Sequence, residues 1–128
     1  MRVIFLPGGP EPPHVMDIPN ELETLQHMVK GYFEAVPMAK LLRDGMILLV
    51  NEEGRIKGME PNRAATFFYS GVTNNYLSKA DPRVIVGPAL IVGIDGEEFT
   101  DLTVQQLRRV SFVTRDYLNW TPFEEDEP

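Results

Sequence analysis

The stretch from Asn51 to Arg63 gathers two asparagines, two arginines and one lysine behind the apolar run Met46–Val50. Each asparagine carries an acceptor oxygen and a two-proton donor. Each arginine carries a planar fork that fits phosphate, carboxylate or a pair of carbonyls. Pro61 fixes its own φ and biases Glu60 toward extended backbone, so Asn62 and Arg63 leave the turn in a defined direction. A short strand over Arg55–Met59 would turn Arg55 and Lys57 to one side. Phe67-Phe68-Tyr69 follows directly and offers an aromatic wall on which a base could stack, with Arg63 on its phosphate. The candidate ligand site is therefore Asn51, Arg55, Lys57, Asn62, Arg63, Phe68 and Tyr69, and its chemistry suits a small anionic or nucleotide-like ligand. A competing reading uses the same residues structurally. Asn51 and Asn62 would stabilise turns, Arg63 would pair with a surface carboxylate, and the aromatics would divide between core and a homodimer contact.

Other constellations are weaker. His14 lies in a Pro-rich connection and His27 on a helix, with no His or Cys at ligand spacing, so no metal and no cofactor is expected. Gly8-Gly9 follows the first strand but lacks the Lys-Ser/Thr end of a phosphate loop and the third glycine of a dinucleotide fingerprint. Asp95, Glu97, Glu98 and Asp101 crowd a turn, where solvated carboxylates are the simpler reading. Ser70, Ser78 and Ser111 have no nucleophile-elbow context. With no catalytic constellation, the chain reads as a non-enzyme.

Length and charge bound the rest. A chain of 128 residues, 43% of them hydrophobic, buries roughly two-thirds of its surface in one core. There is no cysteine, which excludes disulfides and thiol chemistry and suits a reducing cytoplasm. The apolar stretches are too short to span a bilayer, and Met1–Leu6 runs at once into Pro and Gly, so it reads as a strand and not as a leader. Nineteen acidic residues against twelve basic give a net charge of −7. That balance disfavours direct binding of duplex nucleic acid, which needs Lys and Arg on phosphates. It leaves open a basic protein partner, including one for which the acidic surface imitates DNA.

The elements that must position these residues follow from pattern. Val3–Leu6 and Val15–Ile18 read as strands around a Pro/Gly loop. Asn20 with Glu23 marks a helix start, and Leu22, Leu25, Met28 and Val29 share its face. Lys30-Gly31 ends that helix. Tyr32–Val36 and Met46–Val50 read as strands, the second continuous enough to be buried on both faces. Met38–Arg43 is a loop or helical turn. Thr66–Tyr69 reads as strand, broken by Ser70-Gly71 and Asn74-Asn75, with Tyr76 beyond. Val84–Ile94 is a second apolar run interrupted at Gly87-Pro88, and Asp95-Gly96 makes a tight turn. Thr103 with Gln106, and Leu102 with Leu107, carry a capping box and a hydrophobic staple for a helix reaching the region of Leu118. The expected architecture is α+β: a small, mostly antiparallel sheet of five or six strands with two helices packed on one face. Residues 1–120 form one domain and 121–128 an acidic flexible tail.

The order of these motifs carries a resemblance. The helix from Asn20 to Gly31 leads into Gly31-Tyr32-Phe33-Glu34-Ala35-Val36-Pro37. Asn51-Glu52-Glu53-Gly54, Pro61-Asn62-Arg63, Gly87 with Ile91-Val92-Gly93, and Asp95-Gly96-Glu97 before a helix follow in turn. Over most of Met1–Arg109 the chain resembles domain-of-unknown-function family 3846, small proteins carried largely by bacteriophages and mobile elements. Residues 64–82 and 111–128 look longer than the family pattern. The resemblance implies a compact α+β domain in a phage setting, in the cytoplasm of a bacterial host, and supplies no catalytic residues. On it rests the functional expectation of a non-enzymatic phage accessory protein that counters host defence by sequestering a small nucleotide-derived ligand. The alternative is an acidic inhibitor or DNA mimic acting on a host defence protein.

Overall fold

A computed structural model describes residues 1–9, 11–36, 44–70, 78 and 80–117, with the backbone alone over 111–117. In chain order the elements are β1 (Arg2–Leu6), β2 (His14–Asp17), α1 (Leu22–Val29), β3 (Phe33–Val36), β4 (Met46–Asn51), α2 (Arg63–Ser70), β5 (Ala89–Asp95), β6 (Glu98–Thr100) and α3 (Val104–Tyr117). The loop or helical turn expected over 38–43, the positions Gly71, Asn74, Asn75 and Tyr76, the helix end expected near Leu118 and the tail expected over 121–128 lie outside the described residues.

Six strands form one antiparallel sheet in the order β2-β1-β5-β4-β3, with β6 also on β5. β5 lies at its centre. Met46 to Val50 of β4 pair with Gly93 to Ala89 on one side, and Ile4 to Leu6 of β1 pair with Ile91 to Ala89 on the other. Beyond the start of β1, β6 takes over: Asp95 pairs with Glu98 across the two-residue turn Gly96-Glu97, and Gly93 pairs with Thr100. A side chain at position 93 would meet the Asp101 carbonyl oxygen at 2.7 Å, so glycine lets the returning chain lie close.

The α+β class and the antiparallel sheet agree with the pattern read from the sequence, but the helices among the described residues number three and occupy both faces. Every residue of β4 is buried. Its alternate side chains enter two separate cores, because successive Cβ atoms point to opposite faces. Met46, Leu48 and Val50 join Ile4, Leu6, Ala89 and Ile91 under α2 and α3, which contribute Ala64, Ala65, Leu107 and Val110. Ile47 and Leu49 join Val3, Leu90 and Val92 under α1, which contributes Leu25 and Val29. A strand apolar on both faces requires cover on both.

Local signals account for most of the ends. Thr103 Oγ1 accepts from the Gln106 backbone N–H at 3.1 Å, and Gln106 Oε1 accepts from the Thr103 N–H at 2.8 Å. Leu102 and Leu107 meet in one core, completing the staple. α1 ends with Lys30 at φ 65°, Gly31 N–H donating to the Gln26 carbonyl and Lys30 N–H to that of His27. This six-to-one and five-to-two pairing closes a helix at a left-handed residue. Asn20 does not cap α1. Glu21 holds that position, and Asn20 Nδ2 donates instead to the Phe99 carbonyl at 3.0 Å, fastening the connection to β6.

Two sequence expectations fail around the polar stretch. Residues 52–58 form consecutive turns and not a strand over Arg55–Met59. Lys57 N–H donates to the Glu53 carbonyl, Gly58 N–H to Arg55 and Met59 N–H to Gly54, so local bonds consume the groups that a strand would use. Thr66–Tyr69 is helix. Asn62 caps it, and capping with a buried Ala-Ala start outweighs the β preference of the aromatics.

Candidate functional site

The polar stretch separates into an inner and an outer set. Asn51 stands at the end of β4, 5% exposed. Its Nδ2 donates to the carbonyls of Val29 and Lys30 at 2.9 and 3.1 Å, and its Oδ1 accepts from the Glu53 N–H at 2.8 Å. It thus satisfies carbonyls that the end of α1 leaves without helical partners. Asn62 is 1% exposed. Its Nδ2 donates to the carbonyls of Leu6 and Gly87 at 3.0 and 2.9 Å, and its Oδ1 accepts from the Ala65 N–H at 3.0 Å. One side chain joins β1, the segment before β5 and the first turn of α2. Both asparagines spend their donors and acceptors on backbone.

Arg55 and Lys57 diverge because turns replace the strand. Arg55 Nη2 donates to the carbonyls of Asp81 and Val84 at 2.7 and 2.6 Å. Lys57 sits 3.7 Å from Glu53, one helical turn back, in an exposed pair worth little. Arg63 opens α2 and is exposed, Phe68 packs half-buried against the core, and Tyr69 is 43% exposed.

A groove of about 230 Å³ runs along the edge of the sheet beside this stretch. One wall is β3, with Glu34 and Val36. The floor is Val50, Asn51 and the turn through Glu52, Gly54, Arg55 and Ile56. The far wall is Pro82 to Val86, with Tyr69 at one end. Of the residues nominated from sequence, the groove brings together Asn51, Arg55 and Tyr69, and leaves out Lys57, Asn62, Arg63 and Phe68.

The far wall is held firmly. Beyond the Arg55 clamp, the Ile85 N–H donates to Thr66 Oγ1 at 3.0 Å, and its carbonyl accepts from the Asn62 N–H at 2.7 Å. Gly54 presses on the wall, since a Cβ there would meet Val86 Cγ2 at 2.9 Å. At the turn into the wall, Arg83 binds Asp81 Oδ1 through Nε at 3.0 Å and Oδ2 through Nη2 at 2.9 Å. These side-chain hydrogen bonds, with the Arg83 backbone N–H, hold the Asp81 carboxyl down at about 2 and raise the Arg83 guanidinium.

Among the described residues, the near wall has an open side. β3 is the terminal strand of the sheet and pairs only with β4 among the described strands. The Glu52 N–H donates to the Tyr32 carbonyl at 3.0 Å, so Tyr32 and Glu52 form a hydrogen-bonded pair. By antiparallel alternation, Glu34–Val50 and Val36–Leu48 are the next two such pairs. Phe33 and Ala35 therefore direct their N–H and C=O groups away from the sheet.

The most exposed large apolar side chain of the groove is Ile56, at 84%. Sequence reasoning passed over it for the charges on either side. Its signal was legible as a lone β-branched hydrophobe inside a polar turn. Val36, Ile85 and Val86 were read as strand or core and also line the groove.

No group of three or more His, Asp or Glu among the described residues is arranged to hold a metal ion. The acidic hairpin serves partly as a tie: Asp101 Oδ1 accepts from the Arg2 N–H at 2.6 Å. No helix among the described residues is long and apolar enough to cross a membrane.

Comparison with known proteins yields one match. The model of the family described as Domain of unknown function (DUF3846) matches residues 1–115. No curated protein and no solved structure matches.

Proposed function

The chain belongs to the DUF3846 family, and from the geometry of its groove we propose that it is a non-enzymatic binding module whose target is another protein. In the phage setting that the resemblance implies, the target is a host defence protein. The observation that carries this reading is the composition of the groove. Ile56 and Tyr69 present apolar surface beside Val36 and Ile85, while the polar groups nearest them, on Asn51 and Arg55, are engaged with backbone. Exposed aromatic and aliphatic side chains beside a cleft are the usual anchors of a protein interface. A groove of this volume also lies below the usual range of small-molecule sites.

Photo-crosslinking from position 56 in a bacterial host tests the proposal. A discrete protein adduct from position 56, with none from position 97 on the hairpin tip, is the expected result. Absence of any adduct from position 56 would overturn it.

A second reading keeps the small anionic ligand, because Arg55 and Tyr69 both line the groove and bring a guanidinium and an aromatic ring to it. Thermal unfolding against mono-, di- and cyclic nucleotides separates the two. A ligand at a hundredfold its Kd adds about 2.7 kcal/mol, a shift of several degrees. A shift abolished by Tyr69→Ala would favour sequestration of a nucleotide. A flat panel would remove that reading.

A further inference from the structure

We infer that the open edge of β3 accepts an extended, basic segment of the partner protein as an additional antiparallel strand, with a lysine or arginine opposite Glu34. This deepens the protein-binding reading and rests on it.

The backbone supplies the affinity. Phe33 and Ala35 offer two N–H donors and two C=O acceptors along one line, the template that strand addition uses. The strand is short and has no proline or lysine within Phe33–Val36 to blunt it. Its groove-side residues are Glu34 and Val36, and both line the cleft. An incoming strand therefore alternates: every second side chain falls over the groove, against Val36, Ile56 and Tyr69, or faces Glu34.

Charge selects the occupant. Glu34 and Glu52 line the groove with no ion-pair partner among the described residues, and the one cation among its described lining residues, Arg55, donates to the carbonyls of Asp81 and Val84. A second copy of this chain fits poorly. The one antiparallel register that uses all four outward groups pairs Phe33 with Ala35 of the copy, and it sets Glu34 directly opposite Glu34 of the copy. Like charges directly opposite are destabilising across strands, and opposite charges there stabilise. Two chains of net charge −7 add long-range repulsion. A cationic side chain at that position converts the clash into a cross-strand ion pair, while the neighbouring groove-side residue stays apolar over Val36.

The test is selection from a library of random twelve-residue peptides displayed against the purified protein. The expected winners alternate apolar residues with lysine or arginine, and they bind roughly tenfold more weakly when salt rises from low to several hundred millimolar. Ala35→Pro, which removes an outward N–H and costs no ladder bond, lowers their affinity by about tenfold or more. Glu34→Lys shifts the selection toward acidic peptides. That exposed change keeps the proposal testable should Ala35→Pro fail to fold, as judged by circular dichroism.

Winners that lose binding with Ile56→Asp but keep it with Ala35→Pro and Glu34→Lys would overturn strand addition and leave the groove as a protein site. Failure to enrich any peptide, or enrichment of acidic ones on the unaltered protein, would overturn the proposal. So would a dimer in sedimentation that Ala35→Pro dissolves, because the occupant would then be a second copy.

Discussion

Asn51 lies five residues before Ile56 and Asn62 seven before Tyr69, and the two pairs divide labour in the opposite sense from their chemistry. The asparagines have the groups that recognise ligands, yet they are buried and bind carbonyls of β1, α1 and the segment before β5. The apolar residues have the character of core, yet they stand exposed beside a groove. A polar side chain with several donors and acceptors is the cheapest means of closing loose backbone ends inside a small domain. Its richness in hydrogen-bonding groups is therefore no guide to whether a ligand ever meets it.

Asn62→Ala should produce the largest loss of stability. Three buried backbone groups lose their partner at once, at about 1 kcal/mol or more each, so unfolding should cost roughly 3 kcal/mol less and the melting midpoint should fall by about 12 °C. Asn62→Asp sharpens the test. It keeps the acceptor for Ala65 N–H but buries a carboxylate against the carbonyls of Leu6 and Gly87, so its loss should equal or exceed that of alanine, and a clearly smaller loss would assign the stabilisation to the helix cap and not to the carbonyl bridge.

Asn51→Ala comes next, at about 2 kcal/mol, because two of its three bonds are only partly buried and turns can recruit water. Amide exchange should rise first at Lys30 and Gly31, whose left-handed turn the Asn51 side chain supports. A fall spread evenly over the whole protein would mean that Asn51 acts on the sheet and not on the end of α1.

Ile56→Asp should move stability by no more than about 0.5 kcal/mol, since that side chain is 84% exposed, and Tyr69→Ala, at 43% exposed, by about 1 kcal/mol. Their main effect should appear in binding. A destabilisation as large as that of Asn51→Ala would break the contrast and return Ile56 to a structural role.

How much of this could be read in advance follows from the range of the forces. The Thr103–Gln106 box, the Leu102–Leu107 staple and the Asp95-Gly96 turn are local, set by residues three to five apart, and each was legible. The buried pattern of β4 already required cover on both faces, although the sequence reading placed both helices on one. Thr66–Tyr69 misled because its helix is started by Asn62 and held by Thr66 on Ile85, nineteen residues away. The groove was least legible of all. Of its walls, one is an edge strand and the other a segment clamped by Arg55 across 26 residues, and no local period encodes such a meeting.

The smallest effect concerns that clamp. Asp81 receives three hydrogen bonds from Arg83, two from its side chain and one from its backbone, and its carboxyl is lowered from 3.8 to about 2. A folded-state pKa below the unfolded one means that the native state binds fewer protons. The stabilisation is therefore complete above about pH 4 and is lost as pH falls through the folded value near 2. Because Arg83 is more than half exposed, the contribution is small and screened by salt. Asp81→Asn should lower the melting midpoint slightly at pH 6, and the gap to the unaltered protein should close between pH 4 and pH 2. Arg55→Ala acts on the same wall mainly through hydrogen bonds to the backbone carbonyls of Asp81 and Val84, so most of its gap should persist from pH 6 to pH 2. Absence of any gap for Asp81→Asn at pH 6 would show that the turn at 81–84 is held by its backbone bonds and by Arg55, and that the Asp81–Arg83 pair is a surface ornament of the groove wall.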